Sequence, residues 1–236
     1  MCTVTFIPKS NTDFILTSNR DEAPNRKTFP PKVYNEDGVQ ILYPKDAVAG
    51  GTWIGCSEKK RAISIMNGGF VSHKRKDSYR KSRGLVVKDL LFAENVVDEI
   101  HRYNFEGIEP FTIIIVDWNE NLKLFQLVWD EEQVHFSQEE NKPRIWSSSP
   151  LYPSMLKLKR EKWFSDFLEK TPNLTSTELL FFHKNAGDGN SEGDLIIDRG
   201  YVKTKSITQI IKNVNNVQML YEDLESAEVY SSLLEF

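Results

Sequence analysis

Cys2 and the string Ser18-Asn19-Arg20-Asp21-Glu22 are the residues of this 236-residue chain whose types and spacing point first to chemistry. If the initiator methionine is trimmed, residue 2 carries a thiol and a free α-amine on one Cα. An α-amine titrates at about 7.7–8.0 and a thiol at about 8.5, so near neutral pH the amine can take the thiol's proton as attack begins. A cation nearby favours the thiolate, and Arg20 offers one. Asp21 has the chemistry to hydrogen-bond an α-ammonium and fix its direction. The competing readings are a small thiol that only packs and a surface ion pair that caps a turn.

Asn67 follows an apolar run at residues 63–66 and precedes Gly68-Gly69. Its amide suits an oxyanion hole, where loss of one donor typically costs about 2.7–4 kcal/mol of transition-state stabilisation. The same position also suits a turn asparagine with positive φ. Lys74, Arg75, Lys76, Arg80, Lys81 and Arg83 form a basic cluster around Tyr79. The cluster has the chemistry to grip a phosphate-bearing ligand, but reads more readily as a solvated loop leading into a helix.

Metal chemistry finds no support in the spacing. His73, His101, His135 and His183 lack ligand spacing and read as ordinary. Asp188, Asn190, Glu192 and Gly193 begin like a calcium loop, but its twelfth position is Arg199 where a bidentate glutamate is required. Cys2 and Cys56 are the two cysteines, too few for a disulfide framework or a zinc site. Cys56 reads as a small apolar filler at a strand end.

The elements that must position these residues follow from periodicity. Residues 3–7 and 14–17 read as a hairpin, with Cys2 heading one strand and Arg20-Asp21 just beyond the end of its neighbour. Residues 25–45 read as a long surface loop with a turn at Glu36-Asp37-Gly38. Residues 52–56 and 61–66 form a second hairpin, bracketed by Gly50-Gly51 and Gly68-Gly69, where backbone must bend sharply or approach something closely. Helical spacing occupies residues 83–103. Residues 111–117 and 122–129 form a third hairpin with large apolar groups on both faces, the mark of a strand covered on both sides.

Pro153 opens a helix with Leu156, Trp163, Phe164, Phe167 and Leu168 on its apolar stripe. A second helix follows Thr175, which has capping-box spacing to Glu178. Strands return at residues 201–211, 217–221 and 227–233. Strands at both ends with helices between predict an α+β fold of two packed sheets with helices outside, in one domain over residues 1–236.

The net charge of −4 argues against a nucleic-acid partner. The start lacks the basic and apolar stretches of a secretory signal, and no apolar run approaches the roughly 20 residues of a membrane-spanning helix. The expectation is a cytoplasmic protein without stable membrane insertion, acting on a small-molecule substrate or ligand.

The Met1-Cys2-Thr3 start, the Ser18–Glu22 string, the segment Ala49-Gly50-Gly51-Thr52-Trp53-Ile54-Gly55 and the strand ending at Asn67 together resemble the NRDE, or transport-and-Golgi-organisation, family. Weaker echoes run through residues 147–150 and 201–208. The family looks like a branch of the N-terminal-nucleophile hydrolases, which implies a four-layer αββα sandwich. Its enzymatic relatives, penicillin V acylases and bile-salt hydrolases, cleave amides with an N-terminal cysteine. The resemblance therefore implies Cys2 as nucleophile, Arg20 and Asp21 as groups that orient and tune it, and Asn67 as an oxyanion donor. It implies a small non-peptide amide as substrate and neither a metal nor an organic cofactor. It equally allows a binding or trafficking protein for a hydrophobic ligand of lipid or haem type, because eukaryotic relatives are linked to such cargo. Two positions depart from those acylases: Ser147-Ser148-Ser149-Pro150 where they carry an asparagine, and Lys205 where the family has an arginine.

Overall fold

The computed structural model describes the backbone from Cys2 to Phe236 and the side chains from Thr3 onward. Thirteen strands and four helices lie within the described residues. One sheet joins β1 (Cys2–Pro8), β2 (Phe14–Glu22), β10 (Arg144–Ser147), β11 (Lys203–Asn213), β12 (Asn216–Asp223) and β13 (Val229–Glu235) in the order β10-β1-β2-β11-β12-β13. The other follows chain order through β3 (Thr28–Glu36), β4 (Val39–Asp46), β5 (Ile54–Ser57), β6 (Arg61–Asn67), β7 (Phe111–Asp117), β8 (Lys123–Trp129) and β9 (Val134–Glu139). Every named pairing is antiparallel.

Each sheet has one face against the other sheet and one face under helices. Helix α1 (Arg83–Phe92) packs on β5 and β6, with α2 (Val96–Arg102) against it. Helices α3 (Ser154–Lys170) and α4 (Ser176–Asn185) cover β10, β2 and β11 from the opposite side. The layers are α, β, β, α. Side chains alternate across a strand, so β2 shows the sandwich directly. Phe14 and Leu16 enter the large core that includes Ile63, Ile65 and Met66, whereas Ile15 joins Phe164, Leu179 and Phe182 under the helices. The same alternation sends residues 18, 20 and 22 toward the other sheet and residues 19 and 21 toward the helices.

The expected capping box forms: the Thr175 hydroxyl accepts from the Glu178 N–H, and the Glu178 carboxylate accepts from the Thr175 N–H. Cys56 is fully buried, and burial pushes its thiol pKa well up.

Three expectations are corrected. Residues 25–45 are no loop: β3 and β4 form a hairpin that turns at Asp37-Gly38. Pro30-Pro31 are tolerated because β3 is an edge strand and its register shifts between Phe29 and Lys32. Strand β2 runs on to Glu22, so Arg20 and Asp21 lie within it rather than beyond its end. Strands β9 and β10 were not predicted, the first being half-exposed and polar and the second four residues long. Among the described residues, no helix is long and apolar enough to cross a membrane.

Candidate active site

Strand register brings the start of the chain to the NRDE string. Cys2 pairs with Arg20, and Thr3 pairs with Asn19 on one side and Ser147 on the other. The side chain of Cys2 lies outside the described residues. Arg20 is 97% removed from solvent, at 3% exposure, although it lies at the wall of a cleft. Its Nη2 donates to Asp46 Oδ2 at 2.7 Å, and its guanidinium carbon sits 4.4 Å from the centre of the Trp53 ring. Arg26 donates to the same carboxylate at 2.8 and 3.2 Å, and the N–H groups of Val48 and Ala49 donate to it at 3.0 and 2.8 Å. Burial pulls the Asp46 pKa up, but the Arg26 and Ala49 hydrogen bonds and the two guanidinium charges outweigh it and hold the carboxyl below its ordinary range. Arg20 Nη1 and Trp53 Nε1 are buried donors without a hydrogen-bond partner among the described residues. Such a group costs about 1–3 kcal/mol when it is left unpaired.

The opposite face of β2 is a closed polar network. Asn19 Nδ2 donates to the carbonyls of His183 and Leu195 at 3.1 and 2.9 Å, so its Oδ1, 2.6 Å from His183 Nδ1, is the acceptor of that contact. The proton on His183 therefore sits at Nδ1, and Nε2 accepts from the Thr5 hydroxyl at 2.7 Å. This hydroxyl–imidazole–amide series has the look of a catalytic triad, yet Thr5, His183 and Asn19 are all fully buried. It ties α4 to β1 and β2. Burial, with a smaller push from the Arg160 charge, lowers the His183 pKa to about 3 and keeps the imidazole neutral. His183 is thus a core histidine that holds the fold, a part its sequence context does not signal.

Asp21 shares that face. Its carboxylate accepts from the Tyr152 hydroxyl at 2.5 Å and from the Thr204 hydroxyl at 2.7 Å. Burial raises its pKa, and these hydrogen bonds work against the rise. Burial and the Asp21 charge drive the Tyr152 pKa well above its usual value, which keeps the phenol protonated as a donor. The fully buried Arg160 guanidinium lies 3.6 Å over the Tyr152 ring and donates to Thr3 Oγ1 at 2.7 Å. Thus the structure separates two residues that the sequence groups together, with Arg20 in the cleft and Asp21 beneath the helices.

Asn67 also lines the cleft, which encloses about 670 Å³. Asn67 does not have positive φ; that conformation falls on Gly68, at +80°. The turn-asparagine reading is thereby removed. A Cβ at Gly68 would lie 2.4 Å from Pro150 Cδ, so glycine here permits both the turn and the contact with the Ser149-Pro150 segment. The other glycine pair behaves similarly: a Cβ at Gly51 would lie 2.4 Å from the Gly84 carbonyl carbon at the start of α1.

The basic cluster divides. The segment is the expected exposed loop leading into α1, and Arg75, Lys76, Lys81 and Arg83 also line the cleft together with Tyr79. Arg80 instead donates to the Glu106 and Asn104 carbonyls. Neither departure position donates into the cleft. Lys205 is buried and occupied by the Pro24 carbonyl at 2.6 Å and by Glu225, and Ser148 is buried with its hydroxyl unpaired. In the segment that imitates a calcium loop, the Asp194 carboxylate accepts the N–H groups of Asp188 and Gly189.

Sequence reasoning missed Asp46, Tyr152, Thr204, Arg160 and His183. Asp46 lies one residue past the stretch that reads as a loop; Tyr152, His183 and Thr204 contact the NRDE string, and Arg160 contacts Thr3, each across more than 130 residues of chain. Trp53 did carry a signal, since it sits in the Gly50–Gly55 segment already singled out.

Two antiparallel sheets stacked between helix pairs define the class of fold: an αββα sandwich like that of N-terminal-nucleophile hydrolases. Several solved structures have the same fold. Conjugated bile acid hydrolase from Clostridium perfringens, in a mutant form, matches with a TM-score of 0.63 at 9% identity, covering 100% of this chain and 96% of that one. The Caenorhabditis elegans ortholog of N-acylethanolamine-hydrolyzing acid amidase matches with a TM-score of 0.60 at 13% identity, covering 89% and 92%. Penicillin V acylase from Agrobacterium tumefaciens matches with a TM-score of 0.57 at 11% identity, covering 98% and 85%. The chain itself belongs to the Transport and Golgi organisation 2 family, whose model matches residues 1–181. No curated protein sequence matches it.

Proposed function

We propose that the protein is an amidohydrolase that uses Cys2, exposed by removal of Met1, to cleave a small non-peptide amide. One observation carries the reading: Cys2 pairs in register with Arg20, whose buried guanidinium lines the same cleft as Asn67. In the proposed reaction the α-amine takes the thiol proton, and sulfur bonds to the carbonyl carbon while the carbonyl π-electrons move onto oxygen. Asn67 and backbone N–H groups hold that oxyanion. Its collapse breaks the C–N bond, and the amine leaves with the proton from the α-ammonium. Water, deprotonated by the α-amine, then attacks the thioester, releases the acid and returns the thiol. Arg20 favours the thiolate, and Asp21, held within β2 by the Tyr152 and Thr204 hydroxyls, orients the α-ammonium.

The test is a panel of N-acyl amides turned over by wild type, Cys2→Ser and Cys2→Ala, with intact mass recorded before and during reaction. The expected result is loss of Met1, an acyl adduct on wild type and no turnover by Cys2→Ala. A folded, Met1-trimmed wild type that neither acylates nor turns over any member of the panel would count against the enzyme and in favour of a binding protein.

A further inference from the structure

We propose that the cleft also holds a built site for an anionic oxygen group of its ligand, a phosphate or a carboxylate, set between the start of α1 and the Arg20–Trp53 pair and selected by Arg83 and Arg75. Two independent features of the wall converge there. The first is α1, ten residues long, whose opening residues Ser82, Arg83 and Gly84 line the cleft. Ser82 makes no side-chain capping bond and the first turn holds no acidic residue, so the positive end of the helix is uncompensated from within the helix. The second is the pair of donors Arg20 Nη1 and Trp53 Nε1, each on a side chain more than nine-tenths buried, each without a partner among the described residues, and each on a residue that lines the same cleft.

These features are neighbours in space. Trp53 stacks on Arg20, and the preceding residue, Thr52, donates its N–H to the Gly84 carbonyl at 3.1 Å. The charges around them favour an anion. Six Lys and Arg side chains and four carboxylates line the cleft, and the inner carboxylates are occupied, Asp46 by Arg20 and Arg26 and Glu109 by Arg83 at 3.0 Å. Lys76 and Lys81 are drawn to Glu131 and Asp89. Arg75 and Arg83 remain close enough for the charge of one to oppose that of the other, which supports a site that an anion completes. A cationic ligand group would leave the two buried donors unmatched and be repelled by the basic wall, whereas an anionic oxygen satisfies both the donors and the charge.

The inference rests on the proposed reaction only in treating the ligand as a substrate, because anion binding needs no thiol. The experiment is titration of isotope-labelled wild type and Cys2→Ala with inorganic phosphate, methyl phosphate and acetate, followed by NMR at constant ionic strength. Saturable shifts are expected around residues 20, 53 and 82–84 in both proteins, weakened about tenfold or more in Arg83→Gln and in Arg75→Gln. Lys74→Gln, outside the cleft lining, is expected to bind as wild type does. Tighter binding of methyl phosphate assigns a phosphoryl group, and tighter binding of acetate assigns a carboxylate. Absence of saturable binding, or equal weakening in Lys74→Gln, overturns the site. If Arg83→Gln fails to fold, Arg75→Gln, exposed and outside the core, decides. Phosphate binding without amide turnover would leave the site standing while the proposed reaction falls.

Discussion

On the helix side of β2, Asn19 and Asp21 place every polar atom of a buried network against a partner: amide to two carbonyls, imidazole to amide, phenol and hydroxyl to carboxylate. On the cleft side, one residue along, Arg20 has Nη2 bonded to Asp46 and Nη1 without a hydrogen-bond partner among the described residues. The two faces belong to one strand and one four-residue string. A satisfied buried network rigidifies a structure, whereas an unsatisfied buried donor at a cleft wall is a cost that a ligand can relieve. The difference teaches that the NRDE string has two duties, with its asparagine building the platform, its arginine facing the cleft, and its aspartate bonded into the platform while it serves the α-ammonium in the proposed reaction.

Substitutions should separate the two faces. The largest effect on stability is expected from Asn19→Ala, which strands the His183 Nδ1–H and two buried carbonyls; urea unfolding should show a loss of about 3–5 kcal/mol, or no soluble protein. Arg20→Gln should cost less, about 1–2 kcal/mol, because Asp46 keeps Arg26 and two backbone N–H groups. A loss for Arg20→Gln as large as that for Asn19→Ala would erase the distinction. Tyr152→Phe removes one donor from Asp21 and leaves Thr204, so a loss near 1 kcal/mol is expected in the same measurement.

The pH dependence sharpens the comparison further. His183 is held neutral in the fold down to about pH 3, while the unfolded chain takes up that proton near the ordinary value of 6.5. Its contribution to stability is therefore complete above pH 6.5 and lost as the pH falls from there toward 3, by at most about 1.4 kcal/mol per pH unit. In His183→Gln, urea unfolding between pH 6 and 4 should show a correspondingly shallower decline. An unchanged slope would mean that His183 is not buried neutral.

Much of this arrangement was legible where the signal is local. The capping box at Thr175 and Glu178, the helical spacing after Arg83 and the alternation of β7 and β8 all depend on neighbours a few residues away. The nearness of Cys2 to Arg20 follows from the first hairpin, although the sequence pattern ends β2 too early and so hides the Tyr152 and Thr204 partners of Asp21. Pro30-Pro31 concealed a strand, since an edge position and a register shift, not visible in the sequence, are what make prolines acceptable there. The partners of Asn19 and Asp21 come from α4, β11 and the turn before α3, contacts that only the completed sandwich creates. The basic cluster became part of the cleft for the same reason: close packing of Gly51 on Gly84 fixes where α1 begins.

The central claim is that Arg20 serves the thiol while Asn19 and His183 on the opposite face serve the fold. Its most direct measurement is the rate of iodoacetamide labelling of Cys2 against pH in Met1-trimmed wild type and Arg20→Gln, with the buried Cys56 as an internal control that should stay unlabelled until denaturation. The account predicts a Cys2 labelling curve shifted at least one pH unit below that of an ordinary thiol at about 8.5, and a return toward that value in Arg20→Gln. A Cys2 that stays unlabelled in the folded protein, or labels identically with and without Arg20, would contradict it.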